Sequence, residues 1–98
     1  MLFVETPIVA AQSASEAIGT AVTGGMLAGA APEMSAAVPM GSEEVSAALA
    51  NAIAAHAANF LAMTGVAVAQ RALFAAQVGT SAAVYAASDA LAANPLTL

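Results

Sequence analysis

Apolar side chains recur at intervals of three and four residues in two segments of the chain, a spacing that belongs to helices with one buried face. The first segment opens at Thr6-Pro7, where Thr6 can cap a helix and Pro7 can take a first-turn place in which its missing N–H matters least. Ile8, Ala11, Ser15, Ile18, Val22, Met26 and Gly29 or Ala30 then hold one side of a helix predicted over about residues 7–30. The second segment is longer. At roughly 100° per residue Val45, Leu49, Ile53, His56, Phe60, Met63, Phe74 and Val78 fall within a stripe of about 80°, predicting a helix over about residues 42–78. Ser42 stands as its cap, with Glu43 and Glu44 complementing the positive end of its dipole.

The joints follow from glycine and proline. Residues 31–41, APEMSAAVPMG, are bracketed by Pro32 and Pro39 and read as a connector. Gly79 is a natural C-cap after Val78, and residues 79–98 form a tail whose Ser81–Ala93 part is helical or loose. GGMLAG, near the end of the first helix, is either a fraying terminus or a small-xxx-small surface that admits a second helix.

The fold class is therefore all-α, an antiparallel two-helix hairpin making one domain over residues 1–98. Its helices differ in length. At 1.5 Å per residue the second reaches roughly 55 Å and the first about 36 Å, so part of the long apolar stripe lacks cover within the chain. Leu61 and Val68 on one flank, with Val66 and Leu73 on the other, widen the apolar surface beyond what one neighbour covers. Composition sharpens this. The 98 residues are 61% hydrophobic and 7% charged, with mean hydropathy +0.87. Much of the apolar count is alanine, which favours helix but buries little area, so such helices draw their stability from packing against something else.

Charge and chemistry remove other classes. Glu5, Glu16, Glu33, Glu43, Glu44 and Asp89 face one base, Arg71, for a net charge of -5, so there is no cationic surface for nucleic acid. No cysteine is present, and one histidine with separated carboxylates makes no metal-ligand set. No nucleophile, base and orienting group form a recognisable catalytic arrangement, and no glycine-rich loop between strand and helix cradles phosphate. The expectation is a protein that is not an enzyme, with no cofactor and no small-molecule substrate. His56, inside the apolar stripe, reads as an interface residue. Arg71 projects to the stripe's edge, its head solvated or paired with a partner's acid. MLFVETP lacks the basic start of a secretory signal, so export by the general route is not expected. The uncharged run Val45–Gln70 is long enough to span a bilayer, but it is rich in alanine and includes Asn51, His56, Asn59 and Thr64.

Several blocks together resemble the PE family of mycobacterial proteins: Phe3-Val4 at the start, AAP and VP in the connector, EEVSA at the head of the long helix, AAHA around His56, then VGTS and YAASDA. Where that family has its Pro-Glu pair, this chain has Pro7-Ile8, which marks a divergent member. The resemblance implies a hairpin that completes a four-helix bundle with a PPE-family protein as a one-to-one heterodimer, with a secretion chaperone held through the PPE chain. It also implies export through a type VII secretion system to the cell surface, envelope or medium, after synthesis in the cytoplasm. Tyr85 and Asp89 match the family's export motif, a tyrosine followed four residues later by an acid, and on a helix they would share one face. Ile18, Val22, Val45, Leu49, Ile53, His56, Phe60, Met63, Phe74 and Val78 are then the expected partner interface. The alternative is a small membrane-associated or self-assembling helical protein of the cell envelope.

Overall fold

The computed structural model describes residues 4–93, which form two helices, α1 (Thr6–Ser35) and α2 (Glu44–Ala93), joined by residues 36–43. The chain is an all-α helical hairpin. Both helices start one residue away from the expected caps. The carbonyl of Glu5 accepts from the N–H of Ile8 (2.9 Å) and Val9 (3.1 Å), so Glu5 is the cap and Thr6 already lies in the first turn. At α2 the carbonyl of Glu43 accepts from Ala47 N–H at 3.3 Å. Glu43, not Ser42, is thus the cap, and its carboxylate takes the hydroxyl of Ser46.

Both helices also overrun their expected ends. α1 continues to Ser35 with Pro32 inside it, so Pro32 closes the last turn instead of opening the connector. The glycines of GGMLAG stay helical, since no described glycine has a positive φ. α2 does not stop at Gly79 but runs unbroken to Ala93, so residues 79–93 are helix. The reason is tertiary. A Cβ at Gly79 would lie 2.9 Å from Ser13 Oγ, and Ser13 donates that hydroxyl to the carbonyl of Ala75 at 2.7 Å. Gly79 gives α1 room to approach; it does not cap a helix. Residues 94–98, the last of the expected tail, lie outside the described residues.

Contacts divide the chain into two compact units, each built from a piece of both helices. In the unit made of residues up to Thr20 and from Gln70 onward, Ser13 meets Ala75 while Glu16 and Gly19 meet Arg71, so the pieces run antiparallel. Its buried residues are Thr20, Ala75 and Ala82. In the unit Ala21–Ala69, Ala50 and Ala57 are buried, with Leu27, Ala31, Leu61 and Val68 partly covered. The spacing of seven within each alanine pair is that of a helix seam packed on a neighbour. No large side chain is fully buried in either unit. Thr20, Thr64, Thr80 and Ser81 each donate their hydroxyl to the carbonyl four residues back, which satisfies them within their own helices.

Two outcomes follow. Gly79→Ala should raise stability by about 1 kcal/mol in a Ser13→Ala background, where only helix propensity changes. In the native background the gain should be largely cancelled by displacement of the Ser13 hydroxyl, a coupling that a double-mutant cycle of thermal unfolding measures. Glu43 should titrate below the usual carboxylate range, because the Ser46 hydroxyl and then its own backbone N–H favour the ionised form. A lowered folded pKa stabilises α2's first turn at neutral pH, and that contribution fades as pH falls through it. An NMR titration of Glu43 should show this, with Ser46→Ala moving it back up.

Candidate interaction surface

The alanine seam of α2 and the apolar stripe read from the sequence are different faces, roughly a quarter turn apart at about 100° per residue. In the unit Ala21–Ala69 the stripe residues Val45, Leu49, Ile53, His56, Phe60 and Met63 are all exposed, Phe60 by 42%. In the other unit Phe74 is 53% exposed and Val78 is half-buried. Tyr85 follows Val78 by seven residues and so stays on the same side of the continuous helix, 41% exposed. Asp89 is exposed one turn further on. Sequence reasoning had separated this segment as a tail; the unbroken helix makes it an extension of the stripe.

α1 shows the same separation more strongly. Ile8, Ile18, Val22 and Met26 are exposed, on the side nearly opposite Ser13, Glu16, Thr20 and Leu27. The hairpin itself therefore does not cover this apolar row, which includes Ile18 and Val22 of the expected partner interface. Small and polar residues, with Leu27, Leu61 and Val68 half-buried beside them, make the helix contact, and Ile8, Ile18, Val22 and Met26 are turned to solvent. A further row that the sequence reading took only in part, Leu73, Val84 and Leu91, is exposed on a third side of α2. Its spacings of eleven and seven return to one helical face, a signal obscured once Gly79 is taken as the end.

Polar groups on α1 and α2 face each other. Arg71 Nε donates to Glu16 Oε2 at 3.1 Å, and Gln12 Nε2 donates to Glu16 Oε1 at 3.1 Å, so both carboxylate oxygens are engaged. Arg71 is thus paired with an acid of its own chain, where the sequence expectation put its head in solvent or on a partner's acid. Gly19 makes the seat, since a Cβ there would come within 2.9 Å of Arg71 Cζ. Among the described residues no group of three or more His, Cys, Asp or Glu side chains gathers as a metal site. Two clefts open in the unit Ala21–Ala69. One, of about 380 Å³, lies beside the connector; the other, of about 230 Å³, runs over Gly24, Leu27, Leu61, Gly65 and Val68. α2 is also long and apolar enough to cross a membrane by length and composition.

The chain is thus a helical hairpin whose buried positions are small and whose large apolar residues are mostly exposed. The PE family model matches residues 2–92, and the chain belongs to the PE family. Proteins of that family are non-enzymatic helical proteins that generally pair with PPE proteins and are typically secreted through type VII systems. No curated protein and no solved structure matches the chain.

The division between inside and outside makes a direct prediction. Phe60→Ala and Phe74→Ala should each change the unfolding free energy of the isolated chain by no more than about 0.5 kcal/mol, because both rings are exposed. Ala57→Leu or Ala75→Leu should cost about 1–3 kcal/mol by overpacking the seam. Circular-dichroism melts separate the two pairs.

Proposed function

We propose that this chain is the smaller half of a secreted heterodimer, pairing one-to-one with a PPE protein in a four-helix bundle and leaving the cytoplasm through a type VII system. The observation that carries the reading is the placement of the large apolar residues. Leu49, Ile53, Phe60 and Met63 face water along α2 while the residues of α2 most deeply buried against α1 are alanines. A second pair of helices laid against that stripe would bury it, with Ile18, Val22, Val45, His56, Phe74 and Val78 as further contacts. Tyr85 and Asp89, one turn apart on α2, act as the export signal on residues 79–98. The secretion chaperone reaches the pair through the PPE chain, and the exported pair resides at the cell envelope or outside it.

A second reading is favoured by one observation, the length and apolarity of α2. It makes the chain a membrane-associated or self-assembling helical protein. Against it stand Asn51, His56, Asn59, Gln70 and the Arg71–Glu16 pair, which are costly in hydrocarbon.

Expression with an affinity tag in a mycobacterial host separates the two. The pairing reading expects a soluble complex with one PPE protein in equal amount. It also expects Tyr85→Ala to abolish export of that pair while leaving the complex intact. Export undiminished by Tyr85→Ala would remove the signal role. Recovery only from membranes, resistant to carbonate washing and without a partner, would put the membrane reading first.

A further inference from the structure

The connector end of the unit Ala21–Ala69 holds an apolar cleft with an acidic rim. Met34, Val38, Leu49 and Ile53 line it together with Met40, which is 97% exposed, so its walls are apolar and open. At about 380 Å³ it lies within the size range of sites that take small molecules or protruding side chains. Glu33 is among its lining residues. Ser46 is another, and its hydroxyl bonds the carboxylate of Glu43, which holds a second negative charge beside the opening. Glu44 follows at the start of α2. Residues 21–69 contain these three acids and neither Lys nor Arg, so nothing within the unit neutralises the rim.

The charge decides between occupants. A second copy of this chain has only Arg71 to offer, and Arg71 is engaged by Glu16 at 3.1 Å. An anionic membrane surface would be repelled by the carboxylates of Glu33 and Glu43. An apolar side chain flanked by a base satisfies both the walls and the rim. We propose that this cleft receives an apolar side chain of the partner protein bordered by Arg or Lys, and that it discriminates between partner chains of similar helical shape. The inference rests on the pairing proposed above and adds where on the hairpin selectivity arises. Apolar contact along α2 tolerates many helical partners. A rim of one charge sign penalises those that bring an acid to the cleft.

The test uses the PPE protein that co-purifies with the native chain, as a purified probe titrated against native and variant chains over a range of salt. Glu33→Gln with Glu43→Gln should raise Kd about tenfold at low salt and flatten its salt dependence, with the one-to-one complex still formed. Val38→Ala with Met40→Ala should weaken binding without changing the salt dependence. Glu5→Gln, in the other unit, should change neither. Unchanged Kd and salt dependence in the Glu33/Glu43 variant would overturn the cleft while leaving the pairing intact. Failure of the native chain to form any such pair would overturn both. Self-association that depends on Glu33, or flotation with phosphatidylglycerol vesicles through Val38 and Met40, would assign the cleft to the wrong occupant and overturn it as well.

Discussion

The close approach of two helices across alanine is the constraint on which the rest of the molecule depends. Alanine brings backbones together but removes little apolar area from water, so a seam of Ala50, Ala57, Ala75 and Ala82 brings limited hydrophobic stabilisation. Leu27, Leu61 and Val68 reach it half-buried, but most larger side chains find no room there. The big apolar residues must then sit elsewhere on each helix, and in a two-helix protein elsewhere means solvent or another chain. The exposed rows on α1 and α2 are thus a direct geometric result of the small seam.

Such a seam is also poor at fixing register, because one alanine looks much like the next. The unit containing Ser13, Glu16 and Arg71 supplies what alanine cannot. A hydroxyl-to-carbonyl bond, a carboxylate shared by Gln12 and Arg71, and two glycines that admit the groups facing them define one alignment. A few directional polar contacts can select among otherwise similar packings, as they do in coiled coils. They sit partly exposed, so their contribution is to alignment more than to total stability.

The hairpin, its two helices and the identity of their apolar rows were legible in the sequence, because periodicity reports a helix whatever covers it. What covers it was not legible. Ile8, Ile18, Val22 and Met26 have the spacing of a buried face, and nothing local says that Ser13, Glu16 and Thr20 make the contact instead. Gly79 misled for a related reason. A glycine after a valine looks like a stop, and only the approach of Ser13 reveals that its missing side chain makes room for a neighbour. Pro32 similarly marks a connector by local rules yet is carried inside the last turn of α1. The Tyr85 and Asp89 spacing was visible at once, whereas their continuity with the Phe74 and Val78 side depended on knowing that α2 does not end.

The seat that Gly19 makes for Arg71 has an evolutionary side. In most small proteins the interior tolerates trimming poorly and the exterior tolerates nearly anything. Here most hidden positions are already alanine, so most changes enlarge them, and a methyl at Gly19 would make the Arg71 guanidinium move aside. Neutral drift should therefore be bounded from above by volume on the inside. On the outside the bound would come from another molecule's shape, so the lineage of this chain would record two separate histories, one of steric limits and one of co-adaptation.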